Sequence, residues 1–256
     1  MTSVRDLAAI ADALSIKPGE TVLEIGPGTG ALTGPLLERG AHVIAVEKDA
    51  ALARELEKKF ADAPLRVLVK DILQLDLRDL KSPSVLKVAG NIPYYITSPI
   101  IEWLISQRKC VSQTVLTVQW EVARRLAAEP GGKDWGSLSI FLRYYANVEF
   151  LRKIDKSCFF PVPKVHSGVI RLTFLGRPRF TLTDESLFFS LVRRAFQKRR
   201  KTLLNALEAP ESQEPTKETL RQAFSQLDID PRRRPETLSL DEWAALSEAL
   251  GSPSQK

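Results

Sequence analysis

Between an apolar run, Thr21-Val22-Leu23-Glu24-Ile25, and an apolar-periodic stretch over 31–39, the chain places Gly26-Pro27-Gly28-Thr29-Gly30. Three glycines at alternate positions let the backbone turn sharply and approach a ligand closely, because none carries a Cβ that would collide. A strand that feeds a helix through so tight a turn belongs to a parallel sheet, and the pattern repeats. Residues 41–46 read as a second strand closed by Glu47, 50–60 as a helix, 65–69 as a third strand ending at Lys70-Asp71, and 85–89 as a fourth running into Gly90-Asn91. This βαβαβ alternation predicts an α/β fold whose ligands sit beyond the carboxyl ends of the strands, at the switch in strand order. Glu24, Glu47, Asp71 and Asn91 all fall at those ends.

Upstream, apolar side chains at Val4, Leu7, Ala8, Ile10, Ala11 and Leu14 recur at helical spacing, and Lys17-Pro18-Gly19 ends that helix. Downstream, 114–118 reads as a strand, 121–128 as a helix and 169–174 as an edge or final strand. Composition shifts near Gly176. Helical patterns then cover 187–195, 198–207, 217–226 and 240–250, separated by connectors such as Ala209-Pro210-Glu211-Ser212. Two domains are expected, one over 1–178 and a smaller helical one over 179–256, with a loose tail from Gly251 to Lys256.

A chain of 256 residues is long enough to bury a sizeable core without staples. Its formal charge of +6 and pI near 9.3 favour an anionic partner, nucleic acid being the commonest. The only cysteines, Cys110 and Cys158, lie in apolar settings without metal-ligand spacing, so no metal is expected and both are read as reduced, packed thiols. No apolar run approaches the roughly 18–20 residues that span a bilayer, and no basic stretch followed by an apolar core opens the chain. A cytoplasmic protein with no membrane partner is the expectation.

The glycine turn alone fits two cofactors. Gly26-x-Gly28-x-x-Ala31 satisfies the dinucleotide fingerprint, and Glu47, about 20 residues on, can bind the ribose hydroxyls of a dinucleotide or of S-adenosylmethionine. After the third strand, the Asp71 carboxylate can accept a hydrogen bond from an adenine amino group while Ile72 covers the ring; its bland alternative is a helix N-cap.

Asn91-Ile92-Pro93-Tyr94 narrows the chemistry. The amino nitrogen of adenine is a poor nucleophile because its lone pair is delocalised into the ring. Two acceptors, the Asn91 side-chain oxygen and the Pro93 carbonyl, can hydrogen-bond that amino group and favour a pyramidal nitrogen whose lone pair faces a sulfonium methyl. These bonds strengthen as positive charge appears on nitrogen, which makes them transition-state stabilisation. Pro93 stiffens the loop and Tyr94 supplies a stacking face. A base reaches such a pocket only by leaving a helix or from a single-stranded loop. Phe159-Phe160-Pro161-Val162-Pro163-Lys164 offers a second aromatic face, or else a proline-stiffened loop whose aromatics fill the core. Arg193, Arg194, Lys198, Arg199, Arg200 and Lys201 concentrate charge where the second domain begins: phosphate contacts, or a solvated helix face. Arg232, Arg233 and Arg234 extend that patch or decorate a loop.

The glycine-turn block, Asn91-Ile92-Pro93-Tyr94-Tyr95-Ile96-Thr97-Ser98-Pro99, the Phe159–Val165 segment and Arg193–Leu203 together resemble the ribosomal RNA adenine dimethyltransferase family, of the KsgA type that modifies two adjacent adenines of small-subunit rRNA. The resemblance covers nearly the whole chain and implies a Rossmann-like, S-adenosylmethionine-dependent methyltransferase fold with a smaller C-terminal helical domain. It implies cofactor contacts at Glu24, Gly26, Gly28, Glu47, Lys48, Asp71, Ile72 and Asn91, a target-base site at Asn91, Pro93, Tyr94 and Phe159, and rRNA contacts on the basic segment. The implied partners are small-subunit rRNA and the assembling small ribosomal subunit, met by a monomer. Family members usually open with a basic segment ending in Gly-Gln-Asn-Phe-Leu, and this sequence begins just after it; Trp120 stands where a basic residue is usual. Rival readings are the macrolide-resistance methyltransferase of the large subunit, an RNA-binding assembly factor that has lost turnover, and a dinucleotide-dependent oxidoreductase, which leaves the Asn-Ile-Pro-Tyr loop without a task.

Overall fold

Valine, leucine and isoleucine runs buried on both faces are what a parallel sheet covered by helices requires. β1 (Thr21–Ile25), β2 (His42–Glu47), β3 (Leu65–Val69), β4 (Leu86–Asn91) and β5 (Val111–Gln119) are all parallel, while at one side β7 (Ser167–Phe174) runs antiparallel to both of its neighbours, β5 and β6 (Ala146–Ile154). The order across the sheet is β3-β2-β1-β4-β5-β7-β6, so strand order reverses between β1 and β4. The computed structural model describes residues 1, 3–80, 82, 85–208 and 215–251; the Ala209-Pro210-Glu211-Ser212 connector and residues 252–256 of the tail lie outside the described residues.

Two compact units are present, one built from 1–127 and 145–176, the other from 128–144 and 177–256. Residues 128–144, expected with the first domain, cluster with the C-terminal helices instead. In the first unit α1 (Val4–Ala13) starts on Ser3, whose hydroxyl accepts the Asp6 N–H at 3.3 Å. Its Leu7, Ile10 and Ala11, with Leu14, join Val22, Val43, Ala45, Ala89 and Val115 of the sheet in one buried cluster. α2 (Thr33–Glu38), α3 (Ala50–Lys59), α4 (Thr97–Ser106) and α5 (Trp120–Leu126) complete the unit. Asp49 caps α3 by accepting from Ala51 and Leu52, and the neutralised N-terminus explains why the helix begins there.

The second unit holds α6 (Ser137–Tyr145, apart from its last residue), α7 (Glu185–Gln197), α8 (Leu203–Leu207), α9 (Lys217–Gln226) and α10 (Leu240–Gly251). Trp135, Tyr144, Phe188, Phe224 and Trp243 fill its interior; Trp135 Nε1 donates to Leu238 O at 3.0 Å and the Tyr144 hydroxyl to Phe180 O at 3.1 Å, whereas the buried Trp243 Nε1 has no acceptor among the described residues. The helix expected over 198–207 is shorter. α7 ends at Gln197, Lys201 N–H closes a turn on Lys198 O at 2.8 Å, and α8 starts only at Leu203, whose N–H bonds Arg233 O at 2.8 Å.

Strand β7 is last in sequence but interior in the sheet, because β6, which periodicity did not reveal, takes the edge. Gly30 has a φ of +78°, and a Cβ there would stand 2.6 Å from both Leu56 Cδ1 and Phe60 Cε2. Gly30→Ala therefore combines left-handed strain, about 1–2 kcal/mol, with overpacking against α3, about 1–3 kcal/mol. Gly28→Ala meets open space at φ +56° and carries the strain alone. Urea unfolding should place Gly30→Ala below Gly28→Ala by at least about 1 kcal/mol.

Candidate active site

Register brings the site together. Ile25 is paired with Gly90, so the glycine turn and Asn91 leave the sheet side by side on neighbouring parallel strands. Gly26 N–H donates to Val46 O at 3.0 Å, and Gly28 N–H to Glu47 Oε2 at 3.1 Å, which ties the turn to the end of β2. The other Glu47 oxygen accepts the Lys48 and Asp49 N–H groups at 2.8 and 3.0 Å. Since a carboxylate has roughly four acceptor positions, the backbone leaves one open. Gly26 and Gly28 have φ of +63° and +56°, and nothing lies within 4 Å of where a Cβ would stand. The turn thus presents bare backbone to open space, the arrangement a closely approaching cofactor needs.

Glu24 does not line that space. It is 1% exposed, and the Thr33 hydroxyl donates to its Oε2 at 2.6 Å, so it braces the turn against the start of α2. Burial pushes its carboxyl up to about 7, with Glu47 adding in the same direction and Thr33 opposing. Asp71 takes the bland role that its position allowed, its Oδ1 capping a short 3-10 turn by accepting Leu73 N–H at 3.1 Å. Its Oδ2 meets the exposed Lys48 ammonium at 2.9 Å, and that hydrogen bond holds the Asp71 carboxyl below the usual range and lifts the Lys48 ammonium. Ile72 beside it is 6% exposed.

A cavity of about 300 Å³ lies at the end of β4, lined by Met1, Asn91, Ile92, Pro93, Tyr94, Phe159, Phe160, Pro161 and Pro163. All four residues expected at the target-base site, Asn91, Pro93, Tyr94 and Phe159, meet there. Ile92, 2% exposed, anchors the loop through its N–H to Thr117 O at 3.0 Å. The Pro93 carbonyl accepts Ile96 N–H at 3.2 Å, leaving its second lone pair for another donor. The Tyr94 hydroxyl lies 2.8 Å from Ser167 Oγ at the start of β7. Sequence reasoning missed Ser167 and Thr33: neither stands in a chemical motif, and only sheet register and the glycine turn bring them to the site. The core-filling alternative holds for Phe159, which belongs to the buried cluster under α1 and touches the cavity at 9% exposure, while Phe160 is 85% exposed. Cys110 and Cys158 are both half-buried, and neither forms a disulfide among the described residues.

In the second unit the six basic residues have different surroundings. Arg193 lies over the Phe141 ring at 5.2 Å, Arg194 donates to Leu207 O at 3.2 Å, and Arg199 is tied to Lys133 O with Glu236 at 3.7 Å. Lys198, Arg200 and Lys201 are exposed. Arg232 pairs with Asp230 and Arg233 with Glu242, so Arg233 fastens the loop to α10.

The Glu24 shift has a pH signature. With the folded-state value raised from 4.5 to about 7, the folded protein keeps a proton that the unfolded chain has lost between those values, so stability falls as pH rises through that window and levels off above it. The full effect is about 3 kcal/mol. Glu24→Gln keeps an acceptor for Thr33 and removes the titration. The difference in Tm between variant and wild type, measured without cofactor from pH 5 to 8, should move steadily in favour of the variant; a constant difference would show an unshifted carboxyl.

The chain matches the family model described as "Ribosomal RNA adenine dimethylase" over residues 2–250. Among curated relatives, "Ribosomal RNA small subunit methyltransferase A" of Clostridium botulinum (strain Loch Maree / Type A3) is 41% identical over 237 residues, covering 92% of this chain and 85% of the relative. The protein of the same name from Moorella thermoacetica is 42% identical over 252 residues, covering 94% and 86%. Among solved structures, a dimethyladenosine transferase from Plasmodium falciparum superposes with a TM-score of 0.81 at 27% identity, covering 96% of this chain and 95% of that one. The 23S rRNA methyltransferase ErmE superposes with a TM-score of 0.77 at 26% identity, covering 98% of each. On the family match and these identities, the chain belongs to the ribosomal RNA adenine dimethylase family.

Proposed function

We propose that this chain uses S-adenosylmethionine to dimethylate the N6 amino groups of two adjacent adenosines near the 3′ end of 16S rRNA, acting as a monomer on the assembling small subunit in the cytoplasm. The observation that carries the reading is the convergence of Asn91, Pro93, Tyr94 and Phe159 on one cavity, on the strand next to a glycine turn open to a ligand. At about 300 Å³ the cavity falls at the small end of the roughly 300–1,000 Å³ typical of ligand sites, as suits a single base. Among the described residues no helix is long and apolar enough to cross a membrane.

Bound S-adenosylmethionine supplies an electrophilic methyl group. The open backbone at Gly26 and Gly28, the remaining acceptor of Glu47, and the Asp71 edge with Ile72 hold it. Asn91 Oδ1 and the free lone pair of the Pro93 carbonyl accept the amino hydrogens of the adenine, two before the first transfer and one before the second, and hold its nitrogen pyramidal. Tyr94, its phenol fixed by Ser167, and Phe159, fixed by the core, face the base and exclude water. Positioning of this kind needs no strong base. Curated relatives at about 40% identity are small-subunit enzymes, which favours that substrate over the large-subunit one of ErmE.

Incubating the protein with unmodified small subunits and labelled cofactor, then mapping modified nucleosides, tests the reading; label absent from 16S rRNA would overturn it. Asn91→Ala should lower turnover at least about 100-fold with an unchanged Tm, and calorimetry with S-adenosylmethionine separates lost chemistry from lost cofactor binding. For RNA contact the informative pair is Arg200 and Lys201, not Arg199, whose guanidinium already serves Lys133 and Glu236. Replacing both with Gln should reduce the slope of log affinity against log salt by about 1.4–1.8, without changing thermal stability.

A further inference from the structure

Phe160 is 85% exposed, and within the same six residues Val162 and Val165 are 60% and 43% exposed. Exposed apolar side chains scattered singly are ordinary, but three on one short loop form a patch. Leaving a phenyl ring in water forgoes most of the favourable free energy of its burial, and Pro161 and Pro163 restrict the backbone that would have to bend to hide it. Phe159, the preceding residue, is already in the core, so the loop is anchored with its next ring outward. Phe160 also lines the cavity that holds Asn91, Pro93 and Tyr94, which makes the patch continuous with the site. Lys156 and Lys164, both exposed, flank it on the same segment. A surface of flat apolar area edged by positive charge is complementary to a nucleotide chain, whose bases have π-faces and whose links are anionic.

We infer that Phe160 is a stacking platform for the nucleotide adjoining the target adenosine. This rests on the function proposed above and adds a second base-binding position to it. The flanking base lies on Phe160 at the rim while its neighbour is inside against Tyr94 and Phe159. With two adjacent adenosines to modify, strand polarity puts one of them on the platform while the other is in the cavity in one round, and the next nucleotide along in the other round, so loss of the platform hampers completion of both on one RNA.

The test compares wild type, Phe160→Ala and Phe160→Trp on unmodified small subunits, with site-resolved mapping of methylated adenosines and calorimetry with S-adenosylmethionine. Phe160→Ala should raise the KM for subunits about tenfold, as loss of one base–aromatic stack does. It should also lower the share of molecules modified at both adenosines, with Tm and cofactor Kd unchanged. Phe160→Trp, which keeps a π-face, should restore KM and the doubly modified share. Wild-type KM and product pattern in Phe160→Ala overturn the proposal, as does a weaker cofactor Kd in that variant or failure of Phe160→Trp to restore. If wild type itself leaves the adenosines unmodified, the functional reading fails and the platform with it; an active wild type confines any failure to Phe160.

Discussion

Because β1 and β4 pair in parallel with Ile25 opposite Gly90, the glycine turn and Asn91 emerge at the same height on neighbouring strands. Neither group could be moved along its strand alone. A slip of one residue in either strand would put Val22 and Leu23, or Val88 and Ala89, into sites on the other face packed for different side chains, and all four are fully buried in close-packed surroundings. The core therefore sets the register, and the register sets the distance between the open turn and the acceptors of the Asn91–Tyr94 loop. Glu47 and Ser167 then fix details within that frame: one holds the turn through Gly28, the other holds the Tyr94 phenol from β7.

How much of this was legible in the sequence follows from what each segment's pattern is made of. β1 and β3 were read to the residue because their apolar runs are bounded by turn formers, and α9 likewise because Thr216 caps it and accepts Thr219 N–H at 3.2 Å. α4 was missed for the opposite reason. Ile100, Ile101, Trp103 and Leu104 are all buried, so no polar stripe marks a helical period, and Pro99 in its first turn, harmless where the N–H has no intrahelical partner, resembles a break. β6 was missed because it is an edge: Glu149, Arg152 and Lys153 interrupt its apolar pattern, as charges on edge strands do. Glu149 answers Arg171 directly across β7, with oxygen and nitrogen 2.6 Å apart, a pairing visible only once the register is known.

Sequence singles out the residues at the strand ends but does not show their surroundings. Glu24 at the end of a strand resembles a ligand-facing carboxylate, yet burial at 1% and the Thr33 hydroxyl make it a brace for the turn. Asp71 is a cap and the partner of Lys48 before it is anything else. Adjacent phenylalanines at 159 and 160 look equivalent in a string, but in extended backbone successive side chains point to opposite sides. One is therefore in the core cluster, and the other stands in solvent at the cavity rim.

The basic segment shows why a count of cations says little about which of them can meet RNA. Had the helix continued through 198–207, successive residues would have been spread about 100° apart around its axis, and some of the charge would have faced the helices packed against it. The chain leaves helical geometry after Gln197 instead, because the N–H groups of Leu203 and Leu204 bond carbonyls of the 231–233 loop and not the preceding turn. Arg199 is drawn inward to the Lys133 carbonyl, and that tether fixes the turn while Lys198, Arg200 and Lys201 remain exposed around it. The inward arginine thus holds in place the segment whose other three cations are free to meet phosphate.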